Sequence, residues 1–174
     1  MPVYISGAFD PNYKEASPSG AIFPGDSIIT YTIHFQNTGV DSTHFIEVID
    51  TLSSYVDPGS VRTVATSHYP YTFSVSGKGI LSWKFDPLAL PDSATDHLNS
   101  QGFIIYQVTT NNNLSLGTMI KNNASIYFDY NIPVITNTTI NTVSQPSGIV
   151  STGNNNVKVT VFPNPFSSFT RFNV

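Results

Sequence analysis

Three polar side chains stand where the local pattern calls for apolar ones, and together they carry the groups needed to make an amide. Residues 120–131 read Ile-Lys-Asn-Asn-Ala-Ser-Ile-Tyr-Phe-Asp-Tyr-Asn, and the alternate positions Asn122, Ala124, Ile126 and Phe128 fall on one face of a strand. That face is apolar except for one amide, which is costly to bury unless its polar atoms find partners. Asp50 likewise continues the row Ile46, Val48, and Lys14 is a cation just before the first long strand. If the three meet in a dry site, Lys14 Nζ can attack the Asn122 side chain to form an intramolecular isopeptide bond, with Asp50 as assisting acid. The reaction needs a neutral amine, which burial favours by lowering the lysine pKa. It also needs a protonated carboxyl group that can hydrogen-bond the amide and polarise its carbonyl. Proximity supplies much of the remaining barrier reduction. The same residues fit a plainer arrangement, with Lys14 in a salt bridge to Asp50 or Asp129 and Asn122 satisfying a turn backbone.

A second group of candidates is Asp10, Asn12, Asp129 and Asn131, hard oxygen donors at two-residue spacing in loop-like context, which could hold calcium. Asp-Pro-Asn is also a plain turn, and no full calcium-loop signature is present. His34, His44, His68 and His97 show no metal-ligand spacing, and there is neither a nucleophile elbow nor a phosphate loop. Ser67-His68 reads as a turn or strand end, so the expectation is a protein that is not an enzyme, self-catalysed cross-linking apart. Tyr69, Tyr71, Trp83, Tyr127 and Tyr130 could instead form a flat platform for sugar, which would make the chain a carbohydrate-binding accessory module. Trp83 alternates with Leu81 and Phe85, which favours burial.

These side chains must be positioned by strands. Only 10% of the 174 residues are charged, well below the average soluble domain, and Ser, Thr, Asn and Gly fill the gap. That mixture suits extracellular all-β domains and argues against helix. The formal charge of -4 and the lack of any Lys/Arg cluster argue against nucleic acid or an anionic membrane as partner. Cysteine is absent, so no disulfide can staple the fold. The apolar stretches are too short to span a bilayer. Met1 does not open a signal peptide, and the chain reads as a piece of a longer one.

Along the chain, residues 1–26 hold turn signals flanking little regular structure, with 1–7 a lead-in from a preceding segment. Period-two alternation begins at Ser27 and runs to Gln36, and a second strand covers about 44–50. Asp57-Pro-Gly59 marks a reversal. Shorter strands follow near 60–66, 71–76 and 80–85, with Ser76-Gly-Lys-Gly79 as a hairpin turn. Residues 86–101 read as a long connection between sheets, and strands return at 102–109, 118–129 and 134–143. Seven to nine antiparallel strands without helix signals predict an immunoglobulin-like β-sandwich over 8–143. Residues 144–156 have linker composition, and a strand-like run then opens 157–174, a segment too short to be a domain. Exposed edge strands and this tail could pair with neighbouring copies.

Ordered motifs give a family resemblance. Asp10-Pro-Asn-x-Lys14, Tyr31-x-Ile-x-Phe-Gln-Asn-Thr-Gly39, Asp50-Thr-Leu52, Ser67-His68, Pro91-Asp-Ser93, Gly102-Phe103 and Asn122-x-Ala-x-Ile-Tyr-Phe-Asp129-x-Asn-x-Pro-Val-Ile-Thr-Asn-Thr138 together resemble the conserved-repeat, immunoglobulin-like domain near the C-terminus of large secreted Bacteroidota proteins. Val161-Phe-Pro-Asn-Pro165 is similar to the opening of the type IX secretion sorting domain, cut short here. The resemblance implies a stalk or spacer module exported through the periplasm to the outer surface, with neighbouring domains of its own polypeptide as partners and no catalytic activity. Adhesin domains of the related repeat class take a Lys from the first strand, an Asn from a late strand and an acid from between, an order that Lys14, Asp50 and Asn122 match. Asp92-Ser-Ala94 resembles the Bacteroidota O-glycosylation pattern, so glycans are expected as a possible surface decoration.

Overall fold

The computed structural model describes residues 10–23 and 25–145, and two short strands beyond them. In chain order the strands are β1 (Tyr13–Ser17), β2 (Gly20–Ile22), β3 (Ile28–Gln36), β4 (Ile46–Thr51), β5 (Val56–Thr66), β6 (Thr72–Ser76), β7 (Ile80–Phe85), β8 (Gln101–Thr110), β9 (Met119–Asn122), β10 (Ala124–Phe128), β11 (Val134–Ile135), β12 (Thr139–Val143), β13 (Thr160–Phe162) and β14 (Arg171–Asn173). No described residue is helical. One sheet has the order β1-β3-β8-β5, the opposing sheet β11-β10-β4-β7-β6, and a smaller sheet β2-β12-β9. Pairings are antiparallel except that β2 runs parallel to β12.

Period-two alternation explains the layers, because each strand sends every second side chain inward. Ile29, Tyr31, Ile33 and Phe35 of β3 and Ile104, Tyr106 and Val108 of β8 are buried, as are Leu81, Trp83 and Phe85 of β7. The Trp83 and Tyr106 rings meet across the sandwich with centroids 5.1 Å apart. Fully buried aromatics of this kind dominate a core's transfer energy.

Gly102 marks the tightest point of this packing. It pairs with Phe35 in the β3-β8 register, and a Cβ there would lie 2.2 Å from Phe35 Cε2 and 2.8 Å from Ser67 Oγ. Phe35 is buried and has nowhere to retreat. Gly102→Ala is therefore expected to destabilise the domain by about 1–3 kcal/mol, the usual cost of overpacking, read as a lower urea midpoint.

The immunoglobulin-like sandwich agrees with the sequence, while the finer division into strands differs. Twelve strands lie between Tyr13 and Val143, against the seven to nine expected. Residues 10–26, expected to hold little regular structure, contain β1 and β2, which are short and so leave little periodic signal. The expected strand at 118–129 breaks at Asn123 because its halves change partners: β9 pairs with β12 and β10 with β4. Alternation runs unbroken through the change, with Ile120, Asn122, Ala124 and Ile126 all buried, so the pattern does not reveal it. Residues 134–143 divide similarly into β11 and β12. The expected reversal at Asp57-Pro-Gly59 lies inside β5, where the register against β8 shifts between Asp57 and Arg62, an irregularity that an edge strand tolerates. The hairpin at residues 76–79 forms as expected between β6 and β7, with Gly77 and Gly79 at positive φ. The connection 86–101 leads from one sheet to the other.

The lead-in 1–7 and most of the linker 144–156 fall outside the described residues. Within 157–174 the described part is β13 paired antiparallel with β14.

Candidate functional site

The three sheets meet at one buried polar cluster. Lys14 enters from β1, paired to Ile33; Asp50 comes from β4, opposite Ala124 and Leu81; Asn122 ends β9, opposite Thr139. All three point inward, Asp50 and Asn122 from positions that alternation assigns to the core, and Lys14, Asp50 and Asn122 are 2%, 0% and 4% exposed. Lys14 Nζ donates to Asp50 Oδ2 and to Asn122 Oδ1 at 2.5 Å. The fourth member is Tyr106 of β8, fully buried. Its hydroxyl donates to Asp50 Oδ2 at 2.6 Å and accepts from Lys14 Nζ at 3.0 Å and from Asn122 Nδ2 at 3.4 Å. Asp50 Oδ1 is buried without a hydrogen-bond partner among the described residues, leaving one carboxyl oxygen uncommitted.

Aromatic rings wall the cluster. Lys14 Nζ lies 4.4 Å from the Tyr31 ring centroid and 5.2 Å from that of Tyr106. Desolvation pulls the Lys14 ammonium below the usual lysine value, outweighing the opposing pull of the Asp50 charge and hydrogen bond. Burial, reinforced by the Asp50 charge, pushes the Tyr106 phenol well above its ordinary value, and Tyr31 is raised for the same two reasons. The site therefore penalises charge on the amine and on both phenols.

Lys14 is also fixed through its backbone. Its N–H donates to Asn137 Oδ1 at 2.8 Å, and its C=O accepts from Asn137 Nδ2 at 3.0 Å. One amide side chain thus occupies both backbone groups of the lysine, as a neighbouring strand would. Thr139 Oγ1 holds the Asn122 carbonyl at 3.1 Å. Neither Asn137 nor Tyr106 stands out as a candidate in the sequence.

The four residues considered for calcium serve backbone groups in two surface depressions. Asp10 and Asn12 line one with Tyr13, Glu15 and Asn137; Asp129 and Asn131 line another with Asn37 and His44. Asp10 Oδ1 accepts the Asn12 N–H, Asn12 Oδ1 accepts the Gln36 N–H, and Asn131 Nδ2 donates to the Phe128 carbonyl. Asp129 Oδ1 accepts the His44 and Phe45 N–H groups at 2.7 and 2.9 Å. Among the described residues no group of three His, Cys, Asp or Glu could hold a metal ion. Partial burial works to raise the Asp129 carboxyl, but these two backbone bonds, together with the Thr43 side chain and the neighbouring His44, leave the group below the usual range. A lowered folded value stabilises above the unfolded pKa, and the contribution is lost as pH falls through the folded one. Asp129→Ala should cost about 1–2 kcal/mol at neutral pH, a difference in urea midpoint that shrinks on acidification.

The aromatic candidates do not make a coplanar platform. Trp83 is fully buried, and the Tyr69 and Tyr71 rings are inclined by 48°. Ser67 Oγ lies 2.7 Å from His68 Nδ1, but it also accepts the Phe103 N–H at 2.8 Å, so the pair fastens β8 to the end of β5. Asp92 Oδ1 caps the Ala94 and Thr95 N–H groups.

The sandwich has the fold of immunoglobulin-like domains known from bacterial adhesins and pilins. It is similar to the N-terminal domain of the Streptococcus gordonii adhesin Sgo0707, with a TM-score of 0.55 and 17% identity over 77% of this chain and 33% of that one. It is also similar to BcpA, the major pilin subunit of Bacillus cereus, with a TM-score of 0.52 and 10% identity over 75% of this chain and 39% of that one. The chain thus spans well under half the length of either structure. By sequence, it belongs to the family DUF7619, described as a domain of unknown function, which matches residues 10–142. No curated protein matches the chain.

Proposed function

We propose that the chain is a structural spacer or adhesin-stalk module of an exported surface protein, locked by an isopeptide bond between Lys14 Nζ and Asn122 Cγ. The observation that carries this reading is the contact of Lys14 Nζ with both Asp50 and Asn122 inside a shell no more than 4% exposed. An ordinary ion pair explains two of these residues. It does not explain why an amide is brought onto the same nitrogen in a site with a raised cost for charge.

The chemistry balances within the cluster. The Lys14 ammonium passes a proton to Asp50 across their hydrogen bond, which leaves a neutral amine and a neutral acid. The Nζ lone pair attacks Asn122 Cγ, and the carbonyl electrons move onto Oδ1. As the intermediate collapses, the Cγ–Nδ2 bond breaks, Nζ gives up one proton, and Nδ2 gains one and leaves as ammonia. One amine and one primary amide become one secondary amide and ammonia; Asp50 ends as it began after the first transfer, and nothing is oxidised or reduced. Because the cluster is closed to solvent, both reactants belong to the chain, and their fixed contact replaces a bimolecular encounter.

The fold likeness to a streptococcal adhesin domain and a bacillar pilin supports the surface role. The lack of cysteine leaves a place for a different covalent staple in an oxidising exterior. The likeness of residues 161–165 to the start of a sorting domain supports export by the type IX route in a Bacteroidota cell. Digestion followed by mass spectrometry tests the bond: a branched peptide joining Lys14 to Asn122 is expected, whereas two linear peptides with intact Lys14 and Asn122 would overturn it.

A further inference from the structure

The bond proposed above leaves one proton transfer without an agent, since the Asn122 nitrogen must be protonated before it can leave. Amide nitrogen is a poor leaving group without that proton. The hydrogen bonds of Asp50 lead to Lys14 and Tyr106, whereas the departing Nδ2 bonds to the Tyr106 hydroxyl at 3.4 Å. Tyr106 Oη is thus within hydrogen-bond reach of the attacking nitrogen, the acid and the leaving nitrogen together, at 3.0, 2.6 and 3.4 Å.

We infer that Tyr106 is a catalytic residue of the cross-linking reaction, relaying a proton from Asp50 to the departing Asn122 nitrogen. Before attack, the planar amide nitrogen has no basic lone pair and donates to Oη. After attack, Nδ2 is a tetrahedral amine and becomes an acceptor. The phenol then reverses its role: its O–H proton passes to Nδ2, and Oη takes the Asp50 proton in the same movement. Asp50 in turn takes the proton that Nζ must lose. Each relay group is returned to its starting state, so the sum is still one secondary amide and one ammonia.

The surroundings suit a relay. The Tyr106 ring is held between Trp83 and Tyr31, with centroids at 5.1 and 5.3 Å, so the hydroxyl is aimed by packing. Burial keeps the phenol protonated, so it holds its proton until a stronger base is created beside it. A hydroxyl that only satisfied Asp50 Oδ2 would not need to reach the departing nitrogen as well.

Tyr106→Phe separates these roles, because it keeps the ring and removes Oη. Wild-type and variant chains are made by cell-free translation, quenched in denaturant at intervals, and weighed intact while folding is followed in parallel. The wild type is expected to lose ammonia as it folds. The variant should fold at the wild-type rate and then lose ammonia about 10²–10⁴-fold more slowly, the usual range for a lost acid-base group. Equal rates of ammonia loss would overturn the relay and leave the bond standing. No ammonia loss in the wild type would remove the bond, and the relay with it. If Tyr106→Phe does not fold, 3,5-difluorotyrosine at position 106 retains the hydroxyl with altered acidity: an altered cross-linking rate supports the relay, and an unchanged one overturns it.

Discussion

Weighed under denaturing conditions, the wild-type chain should be lighter than its sequence by one ammonia, and the deficit should be absent from Lys14→Ala and from Asn122→Ala. Ammonia loss alone is not diagnostic, because an asparagine can also lose it when the following backbone nitrogen closes a succinimide ring. Lys14→Ala distinguishes the two: a succinimide at Asn122 needs only the Asn123 nitrogen and would persist in that variant, whereas the isopeptide cannot form without the Lys14 amine. Asp50→Asn tests the acid. It replaces the carboxyl group with a near-isosteric amide that can neither take the Lys14 proton nor return it. The expected result is a chain of full sequence mass, or one whose mass falls about 10²–10⁴-fold more slowly. A wild-type chain of full mass would return Lys14 and Asp50 to the status of a buried ion pair with an amide neighbour.

The core of this site is legible in the sequence because its members violate a pattern. Asn122 interrupts an apolar row and Asp50 ends one, and burial of either demands a partner. Lys14 was readable as a cation beside the first long strand, although its own strand, β1, is only five residues long and gives too little alternation to be seen. Tyr106 escapes for the opposite reason. It obeys its row, between Ile104 and Val108, and a tyrosine there reads as one more core ring; only three-dimensional contact shows its hydroxyl among the reacting groups. Asn137 is itself exposed, in the short link between β11 and β12, and its pairing with the Lys14 backbone spans 123 positions of sequence, a distance over which local pattern carries no information. The two-residue spacing of Asp10 with Asn12, and of Asp129 with Asn131, shows the converse difficulty. Oxygen donors in turns satisfy nearby N–H groups by the same geometry that would let them face a cation. The sandwich itself was readable because alternation over β3, β4, β7 and β8 is strong enough to define both inner faces.

The bond should also govern stability, and here the two ends of the cross-link are not equivalent. Lys14 and Asn122 are 108 positions apart, and closing a loop of about 100 residues removes unfolded-chain entropy worth about 4.7 kcal/mol. Asn122→Ala loses that constraint but keeps Lys14 beside Asp50, so its melting temperature should fall by on the order of 15 °C. Lys14→Ala loses the same constraint and also leaves Asp50 buried with Tyr106 as its remaining donor, a state that costs roughly a further 3–5 kcal/mol when one partner of a buried pair is removed. The expected order of stability is therefore wild type, then Asn122→Ala, then Lys14→Ala. Order alone would also suit a simple ion pair, so the deciding quantity is the coupling between the two substitutions. If both break one covalent bond, the bond is lost only once: introducing Asn122→Ala into Lys14→Ala should cost several kcal/mol less than introducing it into the wild type. A hydrogen-bonded cluster without the bond predicts a coupling no larger than one buried hydrogen bond to a charged group, about 1.5–3 kcal/mol. Denaturant melts of the wild type, the two single variants and the double variant measure that coupling, and a value near the loop-closure term is the one the covalent tie requires.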